Sequence, residues 1–583
     1  MRECDLIMKG GITSGVVYPF AIVELAKAYR LRSIGGASAG AIAAVMAAGA
    51  EYRRQTSPAK DDMTGFVMIG GMAEELAADM QSLFQPAPKL AGLYRILMAA
   101  VGDGGVRGAL RAVLRAHRPL VIAAGVAGGL IVAAGLARGN IALVVLGVLV
   151  GALIGIGTIF VALKRNITQD LPTHDFGICP GMTMPDADKP ALTEWIADRI
   201  DMAAGNLGPD GAPAAPLTIG QLEEMGIEVA SMTTDLSSQR PYQLPLRAKH
   251  HFFSRAEFEG LFPSRVVAHM IGDAAPEGVP GGPQDLYPLP VAADFPVVLC
   301  ARMSLSFPGL ISAVPLWRRD WQIAGPDGKK GVYRRCLFSD GGISSNFPIH
   351  FFDALLPRRP TFGISLTAWD EARHGNERVH LSDAPVQSTS LPIRSIKGVG
   401  AFVFAILNTA KDWQDTLQSK LPGYAERIIE IRLDDAREGG MNLAMDPDTI
   451  ATLAEYGRQA GVKLVEEFDF DENRWRRALS LMPNLEQSLQ GFAQSLAAVP
   501  VGMEGGKTYA EILTDHVPQR YSGNSHRWRT EVLAPFAERL AALGAGATAA
   551  ADEKGRRTVQ EGDVPSQDAT VRLIADADRR AEG

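Results

Sequence analysis

Residues 36–40 read Gly-Ala-Ser-Ala-Gly, and only 37 residues precede the serine. A short apolar stretch, Leu31 to Gly35, runs into this block, and an alanine-rich run, Ala41 to Ala48, leaves it. The layout is strand, tight turn, helix, with Ser38 at the turn. Small neighbours permit a strained backbone that presents a hydroxyl, which is the logic of a nucleophile elbow. The helix start behind it favours developing negative charge. The early position restricts the fold. An α/β-hydrolase needs several strands before its elbow, and there is room here for one strand, one helix and a second strand. A rhomboid-type protease would place its serine inside a membrane bundle, and Ser38 is not in one.

The first strand must therefore supply the oxyanion loop itself. Residues 4–9 read as a strand that ends in a glycine loop, Gly10 to Gly15, and Val16 to Tyr29 carries apolar residues at helical spacing. Far downstream, Tyr333 to Phe338 is strand-like and is followed by Asp340-Gly341-Gly342-Ile343-Ser344-Ser345-Asn346-Phe347-Pro348. With Gly10, Gly11 and Gly15, and with Gly36 to Gly40, this block makes the chain resemble the bacterial patatin-like phospholipases, here a membrane-anchored member. The resemblance covers residues 4 to about 355 and implies an α/β fold with a patatin-like central sheet flanked by helices. It also implies a Ser38–Asp340 dyad with no histidine, an oxyanion hole at Gly10 and Gly11, and supporting glycines Gly36, Gly40, Gly341 and Gly342. The family's first loop usually reads Asp-Gly-Gly-Gly-x-Arg/Lys-Gly; here Ile12 and Ser14 replace its third glycine and its basic residue. A second Asp-Gly-Gly, at Asp103, follows no strand and opens a basic segment, so Asp340 is preferred.

Leu120 to Ala137 and Ile141 to Leu163 are uncharged and apolar, separated by Arg138-Gly139-Asn140. As helices they span roughly 27 and 35 Å, against a hydrocarbon core of about 30 Å. Gly147, Gly151 and Gly155 recur every four residues, as do Gly125 and Gly129, which suits close helix packing. An inserted transmembrane hairpin over 119–163 is expected. Arg115, His117 and Arg118 before it, with Lys164 and Arg165 after it, put both ends on the cytoplasmic face of the inner membrane. Leu90 to Arg118 is amphipathic and basic, suited to an anionic headgroup layer.

The remaining composition excludes several classes. Net charge is −7 without a long basic run, which argues against nucleic acid. Four scattered cysteines and ten scattered histidines form no metal pattern, so neither metal nor cofactor is expected. The N-terminus enters the first strand with no secretory h-region. Glu51 to Asp62 reads as a surface loop, Ile227 to Thr234 as a core strand, and Asp273 to Asp294 as a loop. From about Ile393 the chain turns helical through 543, with Pro483 separating Asn473–Leu481 from Leu485–Leu496 and a strand at Glu426 to Arg432; 544–583 reads as a disordered tail. The expected activity is hydrolysis of phospholipid or lysophospholipid acyl esters. Acyl transfer by the same dyad and a non-catalytic membrane scaffold remain as alternatives.

Overall fold

The computed structural model describes residues 1–550 apart from 12–13, 102–104, 209–210, 247–249, 280–281, 325–329, most of 383–414, and short gaps at 422, 435–436, 440–442, 444, 503–504 and 518–525; beyond 550 it describes residue 559. Asp103, Ile12 and most of the 544–583 segment therefore lie outside the described residues.

The chain is a mixed α/β protein with a large central mixed sheet flanked by helices and a helical C-terminal region. Strands β1 (Arg2–Met8) and β2 (Tyr29–Gly36) flank helix α1 (Tyr18–Ala28), and helix α2 (Ala39–Thr56) follows β2 after the two-residue turn Ala37-Ser38. Next come a small strand β3 (Gly177–Cys179), then β4 (Glu228–Asp235), β5 (Arg240–Leu244), β6 (His251–Ser254) and β7 (Leu286–Pro288). They are followed by β8 (Gly309–Ile311), β9 (Val314–Ala324), β10 (Lys330–Asp340), β11 (Thr361–Ala368), β12 (Val379–Leu381) and β13 (Ile428–Leu433). The sheet order is β12-β13-β11-β1-β2-β4-β10-β9-β6-β7, with β5 paired to β4. The neighbours from β13 to β4 are parallel, and β10 joins antiparallel. Successive connections leave β1 towards β2 on one side and return at β11 on the other. The crevice beyond the C-terminal ends of β1 and β2 is thus the topological switch point where α/β sheets bind ligands.

Burial explains the inner strands. Cys4, Leu6, Ile7 and Met8 of β1 and Leu31 and Ile34 of β2 are fully buried, as expected of parallel strands covered on both faces. Helix α2 runs to Thr56, through the first half of the stretch Glu51 to Asp62 expected as a surface loop. The polarity there is internal: Arg54 pairs with Glu51 and donates to Ala26 O at 2.7 Å and Tyr29 O at 2.9 Å, while Glu51 accepts Leu31 N–H at 3.3 Å. A buried ion pair, with both terminal nitrogens of Arg54 bonded, replaces solvent.

Two other expectations change. Pro483 does not divide the C-terminal helices; one helix runs Phe470–Ala497 with the proline inside. It packs along Ala534–Ala550, where a side chain at Gly544 would lie 2.1 Å from Leu489 O, so tertiary contact holds both halves in line despite the missing N–H. Strand β13, read among the C-terminal helices, joins the central sheet in parallel with β11.

Two long apolar helices, Arg118–Ala137 and Ile141–Arg165, lie against each other. Their contact uses Gly128, Gly135, Gly147 and Gly151: a Cβ on Gly128 would lie 2.6 Å from Gly147 O, and one on Gly147 2.7 Å from Val132 N. Gly125 and Gly129 instead face open space, because they lie on the other side of the helix. Of the apolar windows of these two helices, 17% and 6% is buried.

Candidate active site

The strand register brings the two sequence blocks to one level. Gly36 of β2 pairs with Ser231 of β4, and Asp340 of β10 pairs with Thr233, two residues further along. Ser38 lies two residues beyond Gly36. Loop Gly10–Gly11 leaves the end of β1 beside it, and a Cβ on Gly10 would lie 3.2 Å from Ser38 Cβ.

Ser38 has φ 52° and ψ −125°, a left-handed backbone that an L residue adopts only when its surroundings impose it. Those surroundings are close backbone contacts. A Cβ on Gly36 would lie 2.6 Å from Met8 O, and one on Gly40 2.3 Å from the same oxygen. The two elbow glycines thus let β2 and α2 press on the end of β1. The Ser38 N–H donates to Ser304 Oγ at 3.0 Å, but its own hydroxyl caps nothing, although it stands at the N-cap of α2. A serine so placed normally spends its oxygen on the helix. Here the hydroxyl stays available.

Asp340 is held by its backbone and by one oxygen. Its N–H donates to Ser306 O at 3.0 Å, its carbonyl accepts Thr234 Oγ1 at 3.0 Å, and Oδ1 accepts Gly342 N–H at 2.7 Å. Oδ2 is buried without a hydrogen-bond partner among the described residues. Burial pushes the carboxyl up to about 6; the Ser38 hydroxyl, the Lys411 charge and the Gly342 N–H pull the other way. The hydroxyl faces the carboxyl closely enough to favour its charged form, yet no hydrogen bond of full geometry joins them. Both Ser38 and Asp340 are 4% exposed, so this conformation is closed.

The glycine loop is more specific than its sequence. Gly10 N–H donates to Asn346 O at 2.7 Å and is therefore spent. Gly11 N–H and Ala39 N–H have no partner among the described residues. Gly341 fits only as glycine, since a Cβ would lie 2.0 Å from Met232 O; at Gly342 it would lie 2.7 Å from both Asp340 Oδ1 and Asn346 Oδ1.

Sequence reasoning missed the group beneath these loops. Arg302, wholly buried, donates to Ser306 Oγ at 2.7 Å, Thr193 Oγ1 at 3.1 Å, Pro180 O at 3.0 Å and Ser312 O at 2.9 Å. Ser306 O in turn accepts both Asp340 N–H and Ser339 Oγ. The available signal was one arginine inside the apolar run Val-Val-Leu-Cys-Ala-Arg-Met. Such a residue is buried only with its donors satisfied.

The arrangement defines a buried serine hydroxyl facing a carboxylate with raised proton affinity, beside unpaired backbone N–H groups at a helix start. The chain is 36% identical over 568 residues to the RpoH suppressor of Rhizobium meliloti (strain 1021), covering 85% of this chain and 87% of that protein. It belongs to the family of that protein. No family model matches the chain. The crystal structure of VipD from Legionella pneumophila aligns over 94% of this chain and 88% of its own at 12% identity. Its TM-score of 0.26 is too low for an argument about fold.

Proposed function

We propose that this chain is a serine lipid acyl hydrolase of the patatin-like type, acting on phospholipid or lysophospholipid acyl esters at a membrane that its apolar hairpin enters. The observation that carries the reading is Ser38 in a left-handed elbow, its hydroxyl uncapped and facing the buried Asp340 carboxyl.

In this reading the ester carbonyl enters with its oxygen toward Gly11 N–H and Ala39 N–H. Gly10, although its own N–H is taken by Asn346, keeps the loop close. Asp340 Oδ2 accepts the Ser38 proton as the hydroxyl oxygen attacks, and the alcohol leaves as it takes that proton. Water, deprotonated by the same carboxylate, then cleaves the acyl-serine and releases fatty acid. The raised proton affinity of Asp340 suits a general base near neutral pH better than an ordinary aspartate.

The lipid substrate is supported by what flanks the site. Two apolar helices expose most of their surface, which water penalises and hydrocarbon does not. Beside them the helix Gly105–Ala116 exposes Arg107, Arg111 and Arg115 at four-residue spacing, and Arg118, Lys164 and Arg165 are exposed at the hairpin's base. This band of cations fits the cytoplasmic headgroup layer. The test is fatty acid release from vesicles containing phospholipid and lysophospholipid by wild-type and Ser38→Ala proteins. Release by wild type alone supports the reading; equal release by a folded Ser38→Ala protein refutes it. Acylated acceptor in place of free fatty acid would convert it to acyl transfer.

A further inference from the structure

Residues 411 and 415, in the stretch Lys-Asp-Trp-Gln-Asp, belong to no motif that pointed to the dyad. Both have helical backbone and stand four residues apart in the chain. Asp415 is buried against the loop after Asp340. It accepts Ser345 Oγ at 3.0 and 3.1 Å and Phe347 N–H at 2.8 Å. These donors flank Asn346, whose carbonyl holds Gly10. One carboxylate thus ties residue 415 to the aspartate loop and, through Asn346, to the glycine loop.

Lys411 comes in over the same loop. Its Cε lies 3.3 Å from the point a Cβ on Gly342 would occupy, and Asp340 Oδ1 lies 2.7 Å from that point. Lys411 Cε is therefore at most about 6 Å from Asp340 Oδ1, which brings its charge close enough to favour the ionised carboxylate. A side chain at residue 342 would crowd Asp340, Asn346 and Lys411 alike. Among the described residues Lys411 is the charged group that acts on Asp340; Asp415 is directed to Ser345 and Phe347.

We propose that Lys411 is a positioning residue of this site: lying over the loop after Asp340, its ammonium keeps Asp340 in the ionised form that can take the Ser38 proton. The proposal rests on the dyad reading above. Its physical content is a balance. Burial drives the Asp340 carboxyl toward its neutral form, up to about 6, and the ammonium opposes burial. Without that charge the proton affinity rises further, and less of the base is available at acid and neutral pH.

Two readouts test this in full-length protein in detergent, with Lys411→Met, Lys411→Gln and Lys411→Arg. The first is the pH dependence of kcat/KM on a soluble short-chain ester. In Lys411→Met and Lys411→Gln the acid limb moves up by about one pH unit, so the rate at pH 6 falls about fivefold while the plateau above pH 8 stays within about twofold. Lys411→Arg restores the wild-type limb. The second readout does not need turnover: infrared titration of the protonated carboxyl band that Asp340→Asn removes. That band persists to higher pH in Lys411→Met. A band and limb left at their wild-type positions overturn the proposal. A band that moves in a protein inert toward esters sustains the pairing of Lys411 with Asp340 and overturns the hydrolase reading instead.

Discussion

Helix α2 and the helices of the apolar hairpin invert the usual relation between hydrophobicity and burial. Ala39–Thr56 contains Glu51, Arg53, Arg54 and many alanines, yet most of it is buried, Glu51 and Arg54 included. Ile141–Arg165 is almost wholly aliphatic, yet Gly147 is its buried residue. The first helix is surrounded by protein that supplies partners to its buried ion pair. The second leaves Val148 60% and Ile156 69% exposed, an arrangement that water would penalise along its whole length. The difference teaches which solvent each helix is built for. One positions Ser38 in a protein interior, and the other leaves its apolar surface outside that interior.

The sharpest break is to remove one member. Replacing 119–163 by a short Gly/Ser linker should free the protein wholly from carbonate-washed membranes. Cleavage of a soluble ester should stay within about threefold, because the elbow and Asp340 lie outside the hairpin. Loss of fold in that variant would make the hairpin a core element. Within α2, Gly40→Val should cost at least about 3 kcal/mol and about a thousandfold in rate, since its Cβ meets backbone rather than a movable side chain. Thermal melting and ester hydrolysis check this together.

A matched pair of lysines sharpens the contrast. Ala47→Lys, wholly enclosed, should unfold the domain. Val148→Lys should instead weaken membrane retention by about 2–3 kcal/mol if that face meets lipid, and by nothing if it meets water. A pH-dependent effect belongs to Asp340→Asn. The folded carboxyl titrates at about 6 and the unfolded one near 3.8. Below the lower value both states are protonated and Asp340 is neutral in its effect. Above about 6 both are ionised and the folded state bears the buried charge. The amide of this variant, which mimics the protonated carboxyl, should therefore stabilise at pH 7.5 by up to about 3 kcal/mol, with the gain fading toward pH 4. A melting temperature gain independent of pH would contradict this.

Much of this was legible locally. The elbow, the Asp-Gly-Gly block and the hairpin are contiguous and carry their own physics in small residues, strand flanks or unbroken apolarity. What escaped depends on partners far along the chain. Nothing near Gly10 announces that its N–H is taken by Asn346, some 336 residues away. Arg302 looked like one polar residue in an apolar helix until Thr193, Pro180 and Ser312 closed around it. The Pro483 helix and the sheet position of β13 were set likewise by packing that overrides local preference. The hairpin glycines illustrate the limit: spacing marked four-residue repeats, but contact fell on Gly128 rather than Gly125 or Gly129.

Covalent labelling by a fluorophosphonate, mapped by mass spectrometry, tests most directly that the buried elbow serine is the nucleophile. The full chain should carry the label on Ser38, and the hairpin-deleted chain should carry it equally. Ser38→Ala should take none, and Asp340→Asn should label at least about a hundredfold more slowly. Label on another serine, or none on a folded wild-type protein, would contradict the assignment.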